Sequence, residues 1–280
     1  MPNRRLIITA DDFGASLAVN GAVEQAHHHG LLTSASLMVT GAAVDDAVAR
    51  AREMPGLGVG LHLVLVEGRP ALPPEQVPDL VDTAGNFHAN MLRAALAMAF
   101  LPRVRRQLYA EVEAQFAAFS ATGLPLDHVN AHKHFHLHPV IASAMLAAGQ
   151  RHGMKAARVP IEPRRVLAAI EPNDPPRRDP AAGPWSRLLR RRLRRAGIAV
   201  PDQVFGLAWS GRMDARRLRA LIDALPAGVS EIYLHPATRD DWPGHAPGYA
   251  YREELAALTN PAVIAACDAR AKLVRFADLV

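Results

Sequence analysis

Short apolar runs of strand length alternate with helix-length segments along almost the whole chain, and this alternation restricts its fold more than any other feature. Arg5 to Thr9 reads as a strand, Ala10-Asp11-Asp12-Phe13-Gly14 as a loop, and Leu17 to about His29 as a helix. The unit repeats with a strand at Ser34 to Thr40, a helix at Ala43 to Met54 and a strand from Gly58 to Leu65. Helical periodicity returns from about Asn90 to Thr122, where Leu108, Val112, Gln115, Phe116 and Phe119 fall near one face. Asp127 to Ala131, Ala157 to Pro160, Gln203 to Trp209 and Ser230 to Leu234 are further strands, with a short final one near Leu273. Helices are expected at Val140 to His152, Asp214 to Leu225, and from Tyr251 and Pro261. Strands linked through helices pair in parallel, so roughly seven or eight βα units predict an α/β barrel forming one domain over residues 1–280.

Two stretches break the pattern. Residues 67–87 are rich in Pro and Gly, and residues 163–184 hold six prolines with no periodicity; both read as long loops at the active site, the second as a loop or lid. Trp185 to Ala196 is a basic helix that places Trp185, Leu188, Leu189, Leu193 and Ala196 on one face. Arginines surround the rest, so this helix is either an outer barrel helix with a solvated face or a contact for anionic lipid head groups. The six arginines of this segment exceed the entire net charge of +5, so the basic balance is a local patch and no nucleic-acid surface is implied. The N-terminus lacks a signal-like apolar region and no run is long enough to span a bilayer, which predicts a cytoplasmic protein, peripheral at most to the membrane. One cysteine, Cys267, excludes an internal disulfide and a multi-thiolate metal site.

Five of thirteen histidines lie within the eleven residues His128 to His138. Neutral imidazole is the commonest protein ligand for catalytic divalent cations, and such density points to a metal held by His and carboxylate groups. Spacing does not select the ligands: His132 and His136 share a face in a helix, whereas His132, His134, His136 and His138 share one in an extended chain. Adjacent Asp11 and Asp12 cap a helix or serve chemistry. Directly after a buried-type strand they would repel each other unless a cation takes one and leaves the other as an ionised base. His62 interrupts an apolar strand as a candidate ligand, and His235, after another strand and before Pro236, suits a general acid. Asp11, Asp12, His62, His132, Trp209 and His235 all fall at the C-terminal ends of separate expected strands, which converge on one face of a barrel.

Thr9-Ala-Asp-Asp-Phe-Gly14, Gly60-Leu-His-Leu63, the histidine run and Ile232-Tyr-Leu-His-Pro236 together resemble the YdjC-type carbohydrate deacetylases, including the chitooligosaccharide deacetylases. Val129 to Pro139, Arg158-Val-Pro-Ile-Glu162 and Phe205 to Gly211 look like the branch associated with hopanoid biosynthesis, with Asn130 where chitooligosaccharide members tend to carry Asp. The resemblance implies a distorted TIM-like barrel, Asp11 as catalytic base, and Asp12, His62 and His132 as ligands of one divalent ion, Zn²⁺ or Mg²⁺. It further implies His235 assisting the leaving group. His134, His136, Arg158 and Trp209 are candidate substrate contacts. The expected reaction is hydrolysis of the acetamido group of an N-acetylglucosamine conjugate, of the N-acetylglucosaminyl hopanoid type, with a chitooligosaccharide as the alternative. A metal-dependent phosphoesterase or a non-enzymatic lipid-binding protein are the competing classes.

Overall fold

The computed structural model describes residues 4–173 and 182–280. β1 (Arg4–Phe13) is followed by α1 (Leu17–His29), β2 (Ser34–Leu37), α2 (Val44–Glu53) and β3 (Gly58–Leu63). A long segment with a 3-10 turn at Pro74–Gln76 leads to α3 (Met91–Phe100) and α4 (Pro102–Ala121). These two helices were expected as one. Leu101 is extended at φ −101° and ψ 111°, because a residue before proline is pushed out of the helical region, and Pro102 then starts α4.

β4 (Val129–Ala131) runs into a 3-10 segment, His132–Leu137, and then α5 (Pro139–Arg151). α6 (Arg164–Ile170), α7 (Ala182–Arg195), β5 (Gln203–Phe205), α8 (Ala215–Asp223) and β6 (Gly228–Leu234) follow. The chain closes with α9 (Tyr251–Leu258), α10 (Pro261–Arg270) and β7 (Lys272–Leu273). The stretch 163–184, read as a loop, thus contains α6, whose Leu167 is buried; its residues 174–181 lie outside the described residues. On α7, Leu189 and Leu193 are buried as expected, but Trp185 and Leu188 are exposed and Ser186 is buried instead. The strand expected to reach Trp209 stops at Phe205, before Gly206 at φ +123°.

All strand pairs are parallel, in the order β4-β3-β2-β1-β6-β5, with β7 beside the first residues of β1. Between β4 and β5 the wall is completed by residues 156–161, expected in part as a strand. They form isolated bridges, Val129 with Ala157 and Ala156 with Ala199, and Val204 donates to the Ile161 carbonyl at 2.9 Å. The result is an α/β half-barrel of the distorted TIM type. Every residue of β2, β3 and β4 is buried, as parallel strands covered on both faces require.

The strands are not uniformly apolar. Ser34, Ser36, His62, His128, Asn130 and Glu231 are buried polar groups on β2, β3, β6 and at β4, and they pair inside the sheet: Ser34 donates to Asp127 at 3.4 Å, and His128 meets Asp127 at 2.9 Å and Ser36 at 3.0 Å. Gly60 makes the approach of His128 possible, since a Cβ there would lie 2.5 Å from the imidazole.

Candidate metal centre

β1 delivers two neighbouring carboxylates to one cavity. Successive strand side chains normally face opposite ways, but the pairing of β1 with β2 shifts register between Ala10 and Phe13, and Asp12 takes φ +63°. Aspartate tolerates this left-handed conformation better than most residues. Gly14, at φ +91°, then turns the chain into α1, and its N–H donates to Asn20 Oδ1 at 2.8 Å.

Asp12 Oδ1 lies 3.3 Å from His62 Nε2 on β3 and 3.3 Å from His132 Nδ1 at the end of β4. The ligand atoms of these three residues all lie within 4.8 Å of one another, the one such cluster of three or more among the described residues. Asp12 Oδ1 and His62 Nε2 are buried with no hydrogen-bond partner. Buried polar atoms are normally satisfied, so two orphans facing one point fit a cation. The tautomer agrees. Asn130 Nδ2 donates to Ser36 at 2.8 Å and to Asp11 Oδ1 at 3.2 Å, which turns Asn130 Oδ1 toward His62 Nδ1 at 2.6 Å. A carbonyl oxygen can only accept, so His62 carries its proton on Nδ1 and offers the Nε2 lone pair to the site.

Asp11 is held differently. Arg158, fully buried, grips it with two parallel hydrogen bonds of 2.5 and 3.0 Å, and binds Glu231 Oε1 through Nε and Nη2 at 2.8 and 2.6 Å. The same guanidinium lies 4.4 Å from the centre of the Tyr233 ring. Burial pushes the Asp11 pKa up, but Arg158 outweighs it and holds the carboxyl below the usual aspartate range. Asp12 is likewise lowered, burial being overcome by His132 and His62. Asp11, Asp12 and Glu231 set three buried carboxylates against one guanidinium, an imbalance that a divalent cation at Asp12, His62 and His132 would cancel.

These groups open into a cavity of about 1440 Å³ that includes Asp11, Asp12, His62, His132 and His235 in its lining. Glu67, Gly68 and Arg69 border it from the first long loop, Arg164 from the start of α6, and Gly183 and Ser186 from α7. His235 packs edge-on to Tyr233 and Tyr249, with centroids 5.6 and 5.2 Å away. Burial lowers its pKa against the pull of Asp12 and Asp11. Its backbone N–H donates to Glu254 at 2.5 Å. A chain that brings an ionised carboxylate, a three-ligand cation site and an imidazole to one cavity can perform hydrolysis.

The profile of YdjC-like proteins matches residues 5–269. The chain belongs to the YdjC-like family. Among YdjC-like relatives, a carbohydrate deacetylase of Geobacillus stearothermophilus is 32% identical over 265 residues, covering 94% of this chain and 92% of that protein. A carbohydrate deacetylase of Brevibacillus brevis is 39% identical over 170 residues, 61% of this chain and 63% of that protein, so the match spans less than two thirds of that relative. A chitooligosaccharide deacetylase of Serratia marcescens is 35% identical over 150 residues, 53% of this chain and 57% of that protein. The crystal structure of an Enterococcus faecalis V583 protein proposed to cleave cellobiose phosphate superposes with a TM-score of 0.77 at 26% identity, covering 99% of both chains.

In this YdjC-like chain Asp11, Asp12, His62, His132, His134, Trp209 and His235 share the cavity, whereas Arg158 and His136 do not line it. The expectation of substrate contact for those two does not fit their placement. Arg158 spends its donors on Asp11 and Glu231, and His136, fully buried, meets the Arg158 carbonyl at 3.1 Å. Its pKa falls to about 3 through burial and the neighbouring guanidinium, so it is neutral. His134 meets Tyr233 Oη at 2.8 Å. Sequence reasoning passed over Glu231 and Tyr233. Glu231 carried the same signal as His62, a polar residue inside an apolar strand, while Tyr233 reads as an ordinary strand aromatic.

Proposed function

We propose that this chain is a metal-dependent carbohydrate N-deacetylase that removes acetyl from an N-acetylglucosamine conjugate. The observation that carries the reading is the orphaned pair Asp12 Oδ1 and His62 Nε2, beside His132 and next to an arginine-clamped Asp11. Asp12, His62 and His132 would hold one divalent ion, and two imidazoles with one carboxylate suit Zn²⁺ better than Mg²⁺. When bound, such an ion polarises a carbonyl and lowers the pKa of water.

The remaining work falls to the protein. Asp11 stays ionised because of Arg158, and its Oδ2, with one hydrogen bond to Arg158, keeps capacity to accept the proton of the attacking water. The water oxygen bonds to the acetyl carbon, the C–N bond breaks, and His235 delivers a proton to the sugar nitrogen as acetate leaves. Trp209 in the cavity lining supplies a face for a pyranose ring. Glu67, Arg69 and Arg164 in the cavity lining border the sugar.

The favoured substrate is a lipid-linked N-acetylglucosamine of the hopanoid type, supported by the resemblance of residues 129–139, 158–162 and 205–211 to that branch. The second reading, a chitooligosaccharide, is supported by the Serratia marcescens relative. Mass spectrometry of N-acetylglucosaminyl hopanoid and of N,N′-diacetylchitobiose, each incubated with protein and Zn²⁺ or Mg²⁺, decides between them by the loss of one acetyl group. Loss from neither, with phosphate release from phosphoesters, would replace the deacetylase reading.

A further inference from the structure

α3 presents an apolar ridge to solvent. Leu92, Leu96 and Phe100 recur every four residues on one side of this helix and are 71%, 51% and 74% exposed, and Leu101 continues the ridge at 52%. The helix spends Ala94 and Met98 on the core, so the larger side chains point away from it. Exposed apolar side chains occur singly on most proteins, but four in a contiguous ridge mark an interaction surface.

The surroundings indicate the occupant. Arg93 within α3 and Arg106 just beyond it are exposed. α3 and α7 both pack against α5, and they meet it at the same end: His138 stands against the Ala95 carbonyl of α3, while Arg192 of α7 donates to the Pro139 carbonyl at 3.1 Å. The described part of α7 contains no acidic residue, and it exposes Trp185 and Leu188 beside Arg187 and Arg191. Its first turns reach the cavity through Gly183, Ser186 and Arg187. An apolar ridge with arginine beside it has the composition of a helix lying in a bilayer interface, and the exposed Trp185, Leu188, Arg187 and Arg191 give α7 the same composition. A second copy of the chain fits less well, since one 10-residue helix falls short of the about 800 Å² per partner that a stable interface buries.

We propose that α3, with the exposed edge of α7, docks on an anionic bilayer surface and brings the rim of the cavity close to the lipid. The interaction is electrostatic in approach and apolar in retention: arginines draw the face to anionic head groups, and the ridge enters the acyl boundary. It stands apart from the catalytic reading, because it uses none of the site residues.

Flotation with vesicles of phosphatidylcholine alone, and with phosphatidylglycerol added, tests it. Wild-type protein should float with the anionic vesicles and not with the neutral ones. Leu92→Ser, Leu96→Ser and Phe100→Ser combined should lower the vesicle partition coefficient about a hundredfold. The thermal midpoint and circular dichroism spectrum of that variant should stay at wild-type values, which shows that it has folded. Should the triple variant fold poorly, hydrogen exchange of the wild type with and without anionic vesicles gives the same answer through slowed exchange in residues 91–101. Absence of flotation, flotation unchanged in the variant, or a wild-type dimer that the variant converts to monomer without vesicle binding would each overturn the proposal. Because binding is read without turnover, its failure leaves the deacetylase reading untouched, and the converse also holds.

Discussion

Asn130 accepts a hydrogen bond from His62 at 2.6 Å, and the direction of that bond decides which imidazole nitrogen faces the cation site. The two donors of the same amide go to Asp11 and Ser36, and Ser36 in turn meets His128, which is held by Asp127. One side chain therefore orients a ligand of the proposed metal and the proposed base. Asn130→Ala should weaken Zn²⁺ binding to chelator-treated protein by about tenfold to a hundredfold in calorimetric titration. Asn130→Asp, which introduces the residue that chitooligosaccharide members tend to carry, retains an acceptor for His62 and should keep Zn²⁺ affinity near that of the wild type.

Asp11→Asn should leave the metal stoichiometry measured by elemental analysis intact and reduce kcat by about a hundredfold to ten-thousandfold, the range of a lost general base. Turnover near wild type would remove Asp11 from that role.

Arg158→Met deletes the shared counter-charge and leaves Asp11 and Glu231 facing each other in the core. Breaking a buried pair from one side costs about 3–5 kcal/mol, so urea denaturation should show a loss of that order. Loss of turnover alone, with stability unchanged, would contradict the clamp.

Glu254 accepts from the backbone N–H groups of Met213 and His235, and burial raises its carboxyl from 4.5 to about 7 despite those bonds. A carboxyl raised in the folded state binds its proton more tightly there than in the unfolded chain. Its contribution is therefore fully present below pH 4.5 and is lost as pH climbs through 7. The loss amounts to roughly 3 kcal/mol. Chemical denaturation of wild type and Glu254→Gln at pH 5 and pH 8 should show a stability difference that changes by that amount between the two conditions.

The sequence made the barrel legible because its strands are short apolar runs set between amphipathic helices, and β1, β3, β6 and their helices fall close to the expected places. The grouping of Asp12, His62 and His132 was legible through the resemblance rather than through spacing, since residues from β1, β3 and the end of β4 have no local period. Tertiary pairing was not legible. Arg158 reads as a polar residue in a short strand, and its burial depends on Asp11 and Glu231 arriving from β1 and β6, 147 and 73 positions away. The break at Leu101 was available in the pair Leu101-Pro102 and was hidden by the helical periodicity on both sides.

The left-handed backbone at Asp12 also governs how the centre can be altered. Glycine, asparagine and aspartate adopt φ +63° more readily than other residues, so Asp12→Ala would remove a proposed ligand and strain the end of β1 at once. Asp12→Asn separates the two effects, keeping the turn while withdrawing the negative charge. The same geometry disfavours most other residues at this position, although Glu67, Lys133 and His134 adopt it elsewhere in the chain, so an aspartate here serves the turn of β1 into α1 as well as the proposed cation site.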